Sequence, residues 1–303
     1  MSGRKRPGTA APAPSGPRAD CTADSAGGLT FDLALPDGKE RWDAALLLHR
    51  RGDGPGGATG AQEDEGAVRL PLFPFGQGRL RAALPSTMTL TEGRWDAYVA
   101  LGDGLPQRLR PGASDLGPLV ERVPGTHRSW LGVRVPYTTR HGGLAVRAWL
   151  RWPHAEVTAL STGDGCLTVR GQLYGAVLAG GAALEARPRQ PDRTPVYAPA
   201  AAPSGARPGT EEGDSFHCAL PLAELSRAGA GEWDLWLHPS GSADRESGAE
   251  QVDRPVRVAR ILDDAPDKRH TVSYPPCPIP DGTATPYYTP DNDLAVTVAA
   301  AGG

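Results

Sequence analysis

The chain has 303 residues, a formal net charge of -3, 39% hydrophobic and 22% charged residues. That balance, without any strongly basic stretch, excludes the counterion-release footprint of a nucleic-acid binder. The length predicts two domains, each large enough to bury a core of its own. The 39 Gly and 31 Pro call for many turns and against long helices.

In chain order, residues 1–18 carry basic side chains but no apolar run of the kind a secretory signal needs, and no stretch further on approaches a membrane span. The expectation is a disordered tail on a cytoplasmic protein. From there the apolar residues alternate in short runs: LTFDLAL (Leu29 to Leu35), WDAYVAL (Trp95 to Leu101), LAVRAWL (Leu144 to Leu150), LTVRGQL (Leu167 to Leu173), WDLWL (Trp233 to Leu237) and LAVTV (Leu294 to Val298). A period of two puts every second side chain on one face, the mark of half-buried antiparallel strands. PLAELSRAGAGE, before Trp233, can hold a helical turn until its glycines break it.

The runs recur. Pro136 to Val146 (PYTTRHGGLAV) matches Pro286 to Val296 (PYYTPDNDLAV), and GRWDAYVAL around Trp95 matches GEWDLWLHP around Trp233. RAALP ending at Pro85 pairs with HCALP ending at Pro221, Leu29 with Leu167, and ADCTA from Ala19 with AEVTA from Ala155, all in the same order. Gly/Pro-rich insertions at Gly52–Gly66, Pro191–Asp214 and Ser240–Gln251 occupy matching places, as loops on a fixed scaffold do. The fold class predicted is all-β: two tandem immunoglobulin-like antiparallel β-sandwich domains related by internal duplication, over residues 19–150 and 151–303.

The repeat also bears on the cysteines, Cys21, Cys166, Cys218 and Cys277, whose spacing fits neither a metal nor a redox motif. Ala82 stands where Cys218 does and Val157 where Cys21 does, so they read as reduced, mostly buried small hydrophobes. The seven histidines show no ligand spacing, and GxSxG, GxxxxGK[ST] and strand-linked GxGxxG are absent, so no cofactor is expected. Arg51-Gly52-Asp53 spells an integrin tripeptide and is read as chance. Trp95 and Trp233 read as core rings between sheets, with Asp96 and Asp234 turned to solvent or a loop.

One strand offers a binding surface. In LAVRAWLRW the alternation that buries Leu144, Val146 and Ala148 turns Arg147, Trp149 and Arg151 to the other face, where a ring between guanidiniums could stack on a sugar or hold a phosphate. The competing reading packs Trp149 under a loop or against the neighbouring domain, with the Arg stems around it.

A Trp-Asp strand after a Gly, a PVR-type strand (Pro255 to Val258) and a closing PY-T-x-x-x-x-LAV strand, in that order, resemble the β-sandwich modules that accompany actinobacterial glycosyltransferases and CDP-glycerol glycerophosphotransferases of cell-wall polymer synthesis. The resemblance covers both copies. It implies an accessory, non-catalytic binding or scaffold role, with a carbohydrate or sugar-nucleotide ligand or a glycosyltransferase-type protein partner, and transfer chemistry in a separate domain. The alternative is a transferase whose site lies at the domain junction, drawing on Arg147, Arg151, His154 and Glu156. A third reading is a structural protein that self-associates through an exposed strand edge.

Overall fold

The structure, a computed structural model, describes residues 16–35, 38, 41–52, 67–121, 124, 130–203, 214–239 and 254–300. Nearly every element in them is a strand. The N-terminal half holds β1 (Arg18–Ala23), β2 (Leu29–Ala34), β3 (Ala44–Arg50), β4 (Val68–Pro71), β5 (Phe73–Pro74), β6 (Arg79–Leu84), β7 (Gly93–Leu101), β8 (Gln107–Arg108), β9 (Arg110–Asp115), β10 (Leu131–Thr138) and β11 (Leu144–Arg151). The C-terminal half holds β12 (His154–Gly163), β13 (Cys166–Tyr174), β14 (Ala183–Pro188), β15 (Val196–Ala201), β16 (Asp214–Pro221), β17 (Gly231–His238), β18 (Val256–Ala259), β19 (Cys277–Ile279), β20 (Gly282–Tyr288) and β21 (Leu294–Ala300).

In the N-terminal half, a sheet ordered β5-β6-β2-β1-β9 faces one ordered β10-β11-β7-β3-β4, with β8 beside β7. Phe31, Leu33 and Leu80 from the first meet Leu46, Trp95, Val99 and Val146 from the second in one core. The C-terminal half departs from the predicted open sandwich. Its strands run β14-β15-β16-β13-β12-β18-β17-β21-β20-β19, and β14 also pairs with β17, which closes seven of them into a ring. The cause is edge satisfaction. β15 bonds to both β14 and β16, and β18 to both β12 and β17, so each stitches two sheet edges together. In the N-terminal half the segments β4–β5 and β8–β9 bridge the same two edges, but each breaks for one buried residue, Leu72 and Leu109, and two sheets remain distinct.

The ladders of the two halves keep the same register. Pro136, Tyr137 and Thr138 face Val146, Ala145 and Leu144, while Pro286, Tyr287 and Tyr288 face Val296, Ala295 and Leu294. Val146 then faces Trp95 as Val296 faces Trp233. Both tryptophans are buried, at 4% and 0% exposure. The β10–β11 and β20–β21 turns share their hydrogen bonds: Thr139 N–H to Gly143 O and Gly142 N–H to Thr139 O in one, Thr289 N–H to Asp293 O and Asn292 N–H to Thr289 O in the other. Gly142 and Asn292 both sit at positive φ, +76° and +60°, a conformation Gly and Asn tolerate best.

One sequence match does not survive. Leu29 faces Leu84 as Leu167 faces Leu220, and Phe31 faces Ala82 as Val169 faces Cys218. Cys21, however, faces Phe31, whereas Val169 faces Leu160, not Val157. A bulge between Val157 and Ala159 and a longer hairpin slide AEVTA out of line with ADCTA.

The expected helical turn is a helix over Leu222–Ala228, ended by Gly229 at φ +116°. No helix among the described residues is long and apolar enough to cross a membrane. The tail up to residue 15, Asp53 of the tripeptide, and residues 53–66, 204–213 and 240–251 of the three insertions lie outside the described residues, while the segment after Pro191, expected as loop, holds strand β15.

All four cysteines are free thiols. Cys21 and Cys218 lie in the cores, where burial pushes both thiols up to about 12, while Cys166 and Cys277 are half-buried. Since the thiolate is the reactive form, Cys166 and Cys277 are expected to react with a disulfide reagent in the native protein, and Cys21 and Cys218 only in denaturant. Mass spectrometry of the modified peptides checks this.

Candidate functional site

The strand singled out by sequence, β11, is buried on both faces from Leu144 to Trp149. Its second face meets the C-terminal half. Trp149 is 1% exposed, and its indole N–H donates to the Asp291 carbonyl at 2.9 Å. Arg147, 3% exposed, lies 4.8 Å from the Trp149 ring and bonds the Asp291 carboxylate at 2.6 Å. Arg151 grips Glu92 at 2.6 and 3.1 Å and Asp293 at 2.6 Å, and Asp293 also receives Arg257. Arg94 adds a bond to the Pro290 carbonyl at 3.0 Å. Arg147, Trp149 and Arg151 thus grasp the Thr289–Asp293 turn, with Arg147 and Trp149 buried against it and Arg151 partly exposed at its margin.

Beside this grasp the seam is apolar. Ile261, from the C-terminal half, is fully buried in the N-terminal core together with Ala259. Its backbone is pinned by Glu156, which accepts the N–H groups of Ile261 and Leu262 at 2.9 and 3.0 Å and bonds His154 at 2.7 Å. Lys268, 1% exposed, donates to Asp263 at 2.6 Å, and its backbone N–H to the Asn292 side chain at 3.0 Å. The four junction residues proposed for catalysis therefore fall into two groups, Arg147 and Arg151 on one side, His154 and Glu156 on the other. No hydrogen bond or ion pair among the described residues joins them. Nor do the described residues hold three or more His, Cys, Asp or Glu side chains placed for a metal.

Asp96 and Asp234 occupy the outer faces of β7 and β17, each in an arginine pair. Asp96 receives Arg51 and Arg108, and Asp234 receives Arg189 at 2.7 Å. Burial alone would raise the Asp96 carboxyl, but the bonds from Arg108 and Arg51 outweigh it and hold it below the usual carboxylate range. Tyr98 and Trp236, the next outward residues, lie under arginines, Arg108 at 5.0 Å and Arg187 and Arg257 at 4.6 and 4.7 Å.

An open site lies elsewhere, in a segment the sequence reading passed over. From Arg69 to Phe75 (RLPLFPF) the chain follows the sandwich edge. Leu70 and Leu72 point inward, while Arg69, Pro71, Phe73 and Phe75 stay exposed, the two phenylalanines at 55% and 52%. Pro71, Phe73, Pro74, Phe75, Arg81 and Ala83 line a groove of about 320 Å³. The Arg81 guanidinium carbon lies 3.2 Å from the Phe75 ring centre, and Arg81 bonds both oxygens of Asp32, at 2.6 and 2.7 Å. Arg79 pairs likewise with Asp20. The sequence signal was there, a period-two run with a ring at three of its four outward positions, masked by its prolines.

No family model matches the chain, and no curated protein does. A crystal structure of S. aureus TarS, residues 217–571, is similar at 13% identity over 68% of this chain and 56% of its own, with a TM-score of 0.29. A marsupial T cell receptor is similar at 8% identity over 94% and 92%, with a TM-score of 0.25. The chain spans a little over half the length of the S. aureus structure. Neither likeness is close enough to assign a family or a function.

Two outcomes follow for the seam and the ladder. Arg151→Met leaves Glu92 and Asp293 without their shared cation, and is expected to lower unfolding free energy by about 3–5 kcal/mol in urea titrations, against about 1 kcal/mol or less for exposed Arg189→Met. Because the folded Asp96 carboxyl titrates below its unfolded value, its contribution is full above about pH 4 and is lost as pH falls through the folded value. Asp96→Asn should therefore flatten the acid limb of the stability curve and leave its shape near neutrality unchanged.

Proposed function

We propose that the chain is a non-catalytic binding module built as two tandem immunoglobulin-like all-β units, within residues 19–150 and 151–303, the second closed through seven of its strands, that arose by internal duplication and serve glycosyl or polyol-phosphate transfer in wall-polymer synthesis. One observation carries the binding reading: the exposed row Pro71, Phe73 and Phe75 along the groove. Scattered apolar residues are normal on a surface, but rings aligned with a groove and an arginine mark a contact site. The shared ladder register and matching turns support the duplication. The link to polymer transfer rests on the resemblance of the strand signatures. In this reading Arg147, Trp149 and Arg151 set the relative orientation of the halves, and the ligand meets the β4–β6 edge.

The test incubates the full chain with CDP-glycerol, UDP-glucose and isolated wall polymer. Retention on immobilised wall polymer is expected, with no release of CMP or UDP. Nucleotide release that disappears in Glu156→Gln overturns the non-catalytic assignment, and absence of retention overturns binding.

A further inference from the structure

The outer faces of β7 and β17 are matched residue for residue by the ladder register, and one substitution between them changes the chemistry. On β17, the Tyr287 hydroxyl donates to the Glu232 carboxylate at 2.9 Å, and Arg189 bonds the same oxygen while also holding Asp234. The matching residues of the N-terminal half are Tyr137, Arg94, Arg51 and Asp96. An arginine therefore stands where the other copy has the acceptor of the phenol. The Tyr137 oxygen is buried and has no hydrogen-bond partner among the described residues.

The charges shift in the same direction. Arg108 and Arg257 also match, since they face Tyr98 and Trp236. Arg257 bonds Asp293, whose place in the N-terminal half is taken by Gly143, where an added Cβ would lie 2.5 Å from Arg108 Nε. Arg108 turns instead to Asp96, which Arg51 also holds, and Arg94 bonds only the Pro290 carbonyl. Three guanidiniums thus share one carboxylate. The acids nearby are already taken, Asp291 by Arg147 and Asp267 by Arg269. The surplus of positive charge lies beside the buried Tyr137 hydroxyl, which feels Arg51, Arg94 and Arg147. Burial raises that hydroxyl above its ordinary value despite them, so it stays protonated and is a donor.

Going beyond the binding reading above and independent of it, we infer that Arg51, Arg94 and Tyr137 bind a phosphate group, one of whose oxygens takes the position that the Glu232 carboxylate has in the other half. A water would accept from the hydroxyl but leave the charge unanswered. A carboxylate ligand would answer only half of it. A terminal phosphate carries about -1.5 to -2 charges at neutral pH and three acceptor oxygens, enough for the phenol and two guanidiniums. Arg51 keeps 40% of its side chain exposed, so the cluster opens on solvent. The free ion and the end of a phosphomonoester offer this same chemistry, whereas a phosphodiester has a single charge.

Phosphorus-31 NMR titrations of the full chain in phosphate-free buffer test this, with inorganic phosphate, glycerol 3-phosphate and dimethyl phosphate as probes. Saturable binding of one or both of the first two is expected, the tighter of them naming the source, with dimethyl phosphate much weaker. Arg94→Glu installs the residue that the C-terminal half carries and should abolish binding. Tyr137→Phe removes one hydrogen bond to a charged group and should weaken binding about tenfold or more. Arg81→Met, on the opposite sheet, should leave it unchanged. Glutamate already occupies the matching position of β17, so Arg94→Glu should keep the native circular dichroism spectrum; if it does not, Tyr137→Phe, which keeps the ring, decides. No saturable binding of either monoester-type probe, equal binding of dimethyl phosphate, or unchanged binding by the folded variants overturns the inference. Retention on wall polymer reads the β4–β6 edge separately, so either assignment can fall while the other stands.

Discussion

Arg151 holds a carboxylate from each half of the molecule, Glu92 from its own and Asp293 from the other, at a seam where Asp293 is buried and Glu92 stays half-exposed. A charge removed from water in this way contributes little net stability, because desolvation consumes much of the Coulombic gain. What it does strongly is penalise misplacement: sliding the halves by one residue would strand three charges. The rest of the seam follows from that placement. With Asp293 fixed, the turn before it presents Asp291 to Arg147 and Trp149, and Asn292 turns inward to hold the backbone of Lys268. Ile261 then fills the neighbouring core, its backbone fixed by Glu156. Hydrophobic burial supplies the adhesion and the ion network supplies the address.

Much of the fold was legible because strands announce themselves through a period of two and turns through residues that tolerate positive φ. The offset between PYTTRHGGLAV and PYYTPDNDLAV reappears as identical ladder partners, and Gly142 and Asn292 occupy the same turn position. The closing of the C-terminal ring was not legible. Alternation tells which face a residue occupies, but not whether the strand's free edge finds another strand, and β15 closes its gap through backbone bonds that leave no trace in side-chain pattern. The slip of AEVTA against ADCTA has a similar root, since a one-residue bulge shifts pairing without altering the apolar rhythm.

The candidate sites show the same limit. Arg147 and Arg151 have the composition of a wet surface, and the strand pattern reads alike whether that surface meets water or a partner's carboxylates. Asp291 and Asp293, which decide the matter, lie more than a hundred residues further along the chain. Phe73 and Phe75 were hidden for the opposite reason. Prolines at 71 and 74 argue against an interior strand, and the segment is an edge that changes sheets, where proline is tolerated. The outer Arg–Asp pairs, Arg51 with Asp96 and Arg189 with Asp234, recur in both halves, while the seam contacts do not.

That asymmetry limits how far the architecture can extend. The contact is head-to-tail, a turn of one half grasped by a strand of the other, and such contacts repeat without end when every unit carries both parts. Here the parts are divided. The N-terminal half has the grasping strand, but its own turn offers His141 and Gly143 where the acidic side chains of Asp291 and Asp293 would be. The C-terminal half has the acidic turn, but its matching strand presents Thr297 and Ala299 where the arginine and tryptophan would be. Each molecule seats its single plug in its own single socket, so the contact is made once within the chain, and neither half can repeat it with a second copy of itself.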